Sequence, residues 1–474
     1  MFDVDCWTIL GLVWVVSLWD FYLSIRQYRV HRDTATRPEN VKAIISEEDY
    51  AKARLYAIDK HHFNFVRSIY GLLQLTALVV FELFVILWTL CGSINERIGV
   101  SSQMRTDEKC FQMAQSVAFI CLTTLIETVL SFPWQIYETF VIEQKHGFNK
   151  QTFAFFLKDK IKKTIVGLML CVPITTIVIY IVENGGKYFF FYVWIFLSIV
   201  LFLLMTIYPE FIAPLFDKYT PLPESALREK IEKLADYCHF PLKKLYVVHG
   251  SKRSAHSNAY MYGIWNNKRI VLYDTLLSEE MNAKLNEAEK KVDDDGKQGD
   301  ESKDEENKNE EGSKIEKKNV GLEDDEVVAV LGHELGHWHF LHNAVNIFIT
   351  EANLLGMLAV FHLCYQNSHL YNAFGFYDSK PTIIGFIIVF QYIMAPYDEL
   401  ISFLMTMLSR RMEFSADQFS LSLGHGKQLC AALIKLGKNN LSLPVDDWLY
   451  STFNHSHPSI PERIEAIERK QKSD

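Results

Sequence analysis

The sequence predicts a mainly α-helical integral membrane protein with a small α+β segment on one side of the bilayer. Three observations point there. Hydrophobic residues make up 49% of the 474 residues and aromatics 14%. Mean hydropathy is nevertheless close to zero, so apolar and polar stretches must be segregated along the chain. Seven stretches are apolar for about 20 residues, the length a helix needs to cross the hydrocarbon core. One such stretch is compatible with a buried helix of a soluble protein; seven in one chain are not. The net charge of −9 is mild and gives no basic surface for nucleic acid.

In chain order the predicted spans are 7–24, 69–92, 112–135, 164–182, 188–208, 344–365 and 381–407, the last broken around Pro396. The first is no cleavable signal. Asp3 and Asp5 precede it and Arg26, Arg29 and Arg32 follow it, the reverse of a secretory signal. The loops 25–67 and 136–163 carry nine and six Lys/Arg; 93–110 carries three, and Lys187 and Lys380 stand alone in the other two opposite loops. The positive-inside rule puts the two basic loops in the cytosol. The N-terminus is then lumenal, and 209–343 and the tail after 408 are cytosolic. Glu82, Glu127, Glu351 and Glu399 fall within the spans. Charge at membrane depth is costly unless it faces protein or a wet cavity, which leaves a water-filled interior or spans misplaced by a turn.

Four regions follow: 1–208 with five spans, 209–343 as a cytosolic segment, 344–407 with two spans, and 408–474 as a second cytosolic segment. Within 209–343, "SALREKIEKLADYC" has helical apolar spacing. "KKLYVVHG" and "NKRIVLYDTLL" read as short strands, with a turn near Asn266–Asn267 between them. Residues of about 285–318 have almost no apolar content and are expected to be disordered. No CxxC pair occurs among the eight cysteines, so no zinc ribbon is suggested. Cys91 and Cys110 flank one loop and would pair only in an oxidising compartment.

"VVAVLGHELGHWHF", residues 327–340, is the stretch that carries chemistry. His333 and His337 stand one helical turn apart on one face, so both imidazoles reach one ion, and Glu334 beside them can hold a water. This is the HExxH pattern of zinc hydrolases. An apolar run precedes it, and acidic residues at 323–326 suit a helix N-terminus. Catalytic zinc takes three protein ligands and keeps one position open. "RRMEFSADQFS" at 410–420 lies on the same predicted side. Glu413 and Asp417, again four apart, offer one ligand and one supporting group. His339 and His342 are ligands by type, but they would have to point backwards off the motif helix and rank lower.

HELGH with the downstream EFSAD, seven spans, "VIEQKHGFNKQT", "APLFDKYTPLP" and "GSKRSAHSNAYMYGIWNNKRIVLYDTLL" resemble the CAAX prenyl protease 1 family of M48 zinc metalloproteases, from about residue 15 to about 465. The resemblance implies one zinc ion per chain, bound by His333, His337 and Glu413, with Glu334 as general base. It implies that Asp417 orients a ligand or donates a proton. It points to His457 and Arg463 in "HSHPSIPER" as groups near the metal that stabilise the oxyanion. It also assigns Asn258 in "HSNAY", with the strand 268–274, to holding substrate backbone. A structural bond from His457 to Asp417 is the alternative for that imidazole.

The resemblance further implies seven helices enclosing an intramembrane chamber. The implied activity is removal of the last three residues from prenylated CaaX proteins. Some members also cut further upstream, as in maturation of lipid-modified mating pheromone or prelamin A. Partners are then a prenylated CaaX peptide or protein and membrane lipid. The location is the endoplasmic reticulum membrane, with the inner nuclear membrane as an extension; Lys470 and Lys472 resemble a dilysine retrieval signal. Rival readings are a membrane quality-control metalloprotease acting on misfolded or stalled chains, a seven-span transporter or receptor with an incidental histidine pair, and a scaffold that keeps the fold without catalysis.

Overall fold

A computed structural model of the chain describes residues 5–97, 108–263, 267–296 and 321–473. The N-terminal half is a run of long helices: α1 Cys6–Asp33, α2 Glu47–Val80, α3 Leu83–Arg97, α4 Glu108–Tyr137, α5 Phe153–Asn184 and α6 Phe189–Ile207. Side-chain caps start several of them. Asp5 accepts from the Thr8 amide, Ser46 from Asp49 and Thr152 from Phe155, satisfying amides that the first turn leaves without a helical partner.

Among the described residues, six helices are long and apolar enough to cross a membrane. A further pair of apolar helices, Thr382–Ile393 and Ala395–Ser422, is bent by 59° and makes a seventh if the two count as one span. The bend falls at the expected proline, Pro396, which sits in the first turn of the second helix, where a missing amide costs nothing. The expected span 69–92 is not one helix. It breaks at Phe81–Glu82, where Glu82 has φ 49°, so Glu82 sits at a helix junction rather than inside a span. Two other glutamates are partnered across helices: Gln74 donates to Glu127 at 3.0 Å and Ser198 to Glu351 at 2.6 Å. No disulfide joins Cys91, which is buried, to Cys110.

The segment between the fifth and sixth candidate spans holds β1 Tyr219–Pro221, α7 Ala226–Tyr237, β2 Leu242–Val248, β3 Ala259–Tyr262, β4 Lys268–Tyr273, α8 Glu279–Gly296 and α9 Asp324–His339. The four strands lie in the order β1-β2-β4-β3. β2 and β4 run parallel; β1 and β3 pair antiparallel with their neighbours. Leu227 and Ile231 of α7, Val247, Ile270 and Leu272 of the sheet, and Val327, Leu331 and Leu335 of α9 form one buried core. Two strands, β2 and β4, were expected here; the sheet has two more, the short β1 and β3, "AYMY", and of the expected turn Asn266 lies outside the described residues. The strand expected to hold substrate is also displaced. β4 is flanked by β2 and β3 and has no free edge, so the edge that adjoins Asn258 is β3.

The expected disorder does not hold for 285–296, which continues α8. Its Leu, Ala, Glu and Lys residues favour helix, and Leu285 is buried in the core. Residues 297–318 lie outside the described residues. The chain continues with α10 His342–Cys364, α11 Ser368–Asn372, α12 Thr382–Phe386 with its extension to Ile393, α13 Ala395–Ser422, α14 Gly426–Asn439, α15 Trp448–Asn454 and α16 Ile460–Ser473. Lys470 and Lys472 lie in the last turn of α16. A clip joins the two ends of the chain. Arg26 of α1 bridges Asp447 at 2.9 Å, and Gln27 donates to Asp446 at 2.6 Å. Leu441, Leu443 and Val445 pack beside it with Val41, Tyr50 and Tyr56.

Candidate metal centre

The site is made by two helices in close contact. α9 begins with a reciprocal cap between Glu323 and Glu326, and Lys435 neutralises Glu326 at 2.8 Å. One face of α9 carries Gly332 and Gly336. Opposite them on α13 stand Ser420 and Ala416: a Cβ on Gly332 would lie 3.0 Å from Ser420 Oγ, and one on Gly336 only 2.9 Å from Ala416 Cα. Small residues on both sides let the backbones approach, and Ser420 ties them by donating to the Ala329 carbonyl at 2.8 Å. The same register brings Glu413, one turn before Ala416, against the histidines.

His333 Nε2 lies 3.2 Å from His337 Nε2 and 3.5 Å from Glu413 Oε2, and His337 Nε2 lies 3.3 Å from Glu413 Oε1. Among the described residues these three form the one group whose donor atoms all fall within 4.8 Å of one another. Glu413 is almost fully buried. Its Oε2 has no aligned hydrogen-bond donor, although His457 Nδ1 is 2.9 Å away. Two imidazoles and a buried carboxylate fit a divalent ion with nitrogen and oxygen ligands.

Behind the donors lies a buried ionic layer. His333 Nδ1 donates to Asp417 Oδ1 at 2.8 Å. Arg463 grips both carboxylate oxygens of Asp417, Nε to Oδ2 at 2.8 Å and Nη2 to Oδ1 at 2.6 Å. Asp417 therefore holds the first imidazole by its outer nitrogen, and the fork-to-fork geometry fixes the carboxylate. Arg463 Nη1 stands 3.6 Å from Glu413 Oε2. His457 is placed beside Glu413, not Asp417, and that carboxylate raises the proton affinity of its imidazole.

Glu334 faces a cavity of about 620 Å3 shared with Asn258, Ala259, His457 and Arg463. Its far wall is His31 and His61, from α1 and α2. Protein surrounds the Glu334 carboxyl on nearly every side, and burial raises its pKa above the usual carboxylate range. Asn258 is exposed to this cavity, and its carbonyl accepts from the Tyr273 amide at 3.0 Å. All eight expected site residues thus belong to one locus: His333, Glu334, His337, Glu413, Asp417, His457, Arg463 and Asn258. Of the two lower-ranked histidines, His339 is exposed and stacks on Phe419, whereas His342 contacts His337.

Residues 27–218 match the family model described as CAAX prenyl protease N-terminal, five membrane helices, and 221–471 match peptidase family M48. The chain is 47% identical to the CAAX prenyl protease 1 homolog of Caenorhabditis elegans, covering 98% of each. It is 44% identical to the Homo sapiens homolog, covering 96% of this chain and 93% of that one. The crystal structure of S. mikatae Ste24p superposes with a TM-score of 0.81 at 32% identity, covering 97% of each chain. A multi-span chain with an HExxH helix, a carboxylate from a second helix and these relatives along nearly its full length belongs to the CAAX prenyl protease 1 family of M48 metallopeptidases.

Proposed function

We propose that this protein is a zinc endopeptidase of the endoplasmic reticulum membrane that removes the aaX tripeptide from prenylated CaaX proteins. One observation carries the reading. Glu334, beside the His333–His337–Glu413 donor set, opens into a cavity that also takes in Asn258 and Ala259 at the start of β3 and His31 and His61 of the two apolar helices α1 and α2. Peptide, water and a membrane-derived group can meet there.

Zinc, when bound, polarises the scissile carbonyl and lowers the pKa of water toward about 7. Glu334 accepts the proton of the attacking water and passes it to the leaving amine; its raised proton affinity suits the first step. His457 donates to the developing oxyanion. Asp417 and Arg463 keep His333 facing the ion. Asn258 and the β3 edge align the peptide as an added strand. The bent pair counts as the seventh span, with the lumenal N-terminus and cytosolic site that the loop charges favour. The prenyl chain then rests among the spans, in a chamber, while the peptide reaches the metal.

The test is cleavage of a farnesylated CaaX peptide and its unprenylated twin, read by mass spectrometry. Release of the tripeptide from the farnesylated peptide, abolished by a zinc chelator, is expected. Equal cleavage of both peptides would instead favour the quality-control protease.

A further inference from the structure

The second metal imidazole has a partner with no role in the reaction above. His337 turns Nε2 toward Glu413 and His333, and its Nδ1 lies 2.9 Å from Nδ1 of His342. His342 is buried and is the first residue of α10, a membrane-crossing helix. On its other side, Nε2 lies 3.3 Å from Ser415 Oγ, and the Ser415 hydroxyl donates to the Met412 carbonyl at 2.8 Å.

One assignment of protons satisfies this chain with a metal on His337. A neutral imidazole that ligates through Nε2 carries its proton on Nδ1, and the bond made by that Nδ1 sets the tautomer. His342 Nδ1 must then accept. Its own proton sits on Nε2 and goes to Ser415 Oγ, which can accept because its hydroxyl proton is committed to the Met412 carbonyl. The reverse order would leave His337 with a proton on Nε2, aimed at Glu413 and in the place of the ion. A backbone carbonyl of α13, one residue before Glu413, thus fixes the tautomer of the opposite ligand.

The turn between the helices makes the contact possible. Leu341 adopts φ 56° and ψ 31°, a left-handed conformation that is uncommon for a branched residue. It ends α9 and folds His342 back over His337. The two ligands are consequently held in different ways: His333 by an Asp417 carboxylate that Arg463 neutralises, His337 by a neutral imidazole borne on a membrane span.

We propose that His342 is a positioning residue for the metal, holding His337 in its ligating tautomer and orientation and tying the zinc site to the first turn of α10. The proposal rests on the metallopeptidase reading. The experiment uses the full-length protein in detergent, with zinc affinity from competition against a chromophoric chelator and the visible spectrum of the cobalt-substituted form. His342→Phe keeps a ring and removes the acceptor; His342→Asn supplies an acceptor oxygen near the place of Nδ1.

The Phe variant should lose zinc affinity on the order of ten- to a hundredfold, the usual cost of an outer-shell partner, and should shift the cobalt bands. The Asn variant should recover most of the loss. Ser415→Ala should weaken zinc in the same direction by less, and it carries the test if the Phe variant fails to fold. Unchanged affinity and spectrum in the Phe variant, or in Ser415→Ala if Phe does not fold, overturns the proposal. So does an Asn variant as weak as Phe. An unaltered protein that takes up no zinc would instead overturn the metallopeptidase reading itself.

Discussion

Replacing Gly336 by alanine should cost the protein its metal before it costs the protein its fold. The added Cβ would lie 2.9 Å from Ala416 Cα, 3.0 Å from Phe419 Cβ and 3.2 Å from the Ala416 carbonyl oxygen. Carbon atoms in contact sit about 3.5–4.0 Å apart, so α9 and α13 must separate by roughly 0.5–1 Å. The nearest atom is backbone and cannot swing away. Overpacking of this kind costs about 1–3 kcal/mol, offset by about 1 kcal/mol gained when glycine leaves a helix interior. The net change in stability is small.

The ion is less forgiving, because metal–ligand distances tolerate about 0.2 Å. Moving α13 carries Glu413 away from both histidines. Zinc affinity should fall at least as far as on loss of an orienting partner, about ten- to a hundredfold. Gly332→Ala is the control. Its Cβ meets the rotatable Ser420 hydroxyl at 3.0 Å, and the effect should be milder. The assay is zinc competition together with thermal unfolding in detergent. A Gly336→Ala protein that binds zinc as tightly as the unaltered one, with equal or higher Tm, would refute the close-packing account of how Glu413 is placed.

Three further outcomes are expected. Glu334→Gln should retain zinc and bind peptide while kcat falls by about 10²–10⁴, the typical worth of a general base; normal turnover would remove Glu334 from that role. Arg463→Lys cannot grip both oxygens of Asp417; it should lower stability by on the order of 1–3 kcal/mol, read as a drop in Tm, and weaken zinc as well. Deleting 297–318 while keeping Leu322, which is buried in the core, should leave peptide cleavage largely intact, and collapse of folding would count against it.

Much of the centre was legible because its chemistry is local. Residues four apart on a helix share a face whatever surrounds them, so His333 with His337 and Glu413 with Asp417 could be paired from spacing alone. Joining the two pairs took the resemblance, since nothing in the spacing says which face of α13 meets α9. The two glycines of "GHELGH", Gly332 and Gly336, and the small residues of "SADQFS" hold that signal in retrospect. The role of His342 was hidden by continuing the helix through Leu341, where the backbone turns left-handed. β3 has no apolar and polar alternation to mark it: Ala259, Tyr260, Met261 and Tyr262 are all apolar or aromatic. The acidic run was read from composition, which overlooked that its first third is a good helix anchored by Leu285. Spans were found by length and apolarity, but that measure ignores a backbone break such as the one at Glu82.

X-ray absorption at the zinc edge tests the central claim most directly. The account predicts about two imidazole nitrogens near 2.0–2.1 Å and oxygens near 2.0–2.2 Å with no sulfur, and an altered first shell in Glu413→Ala. Sulfur scatterers near 2.3 Å, or a first shell unchanged by removing the Glu413 carboxylate, would contradict it.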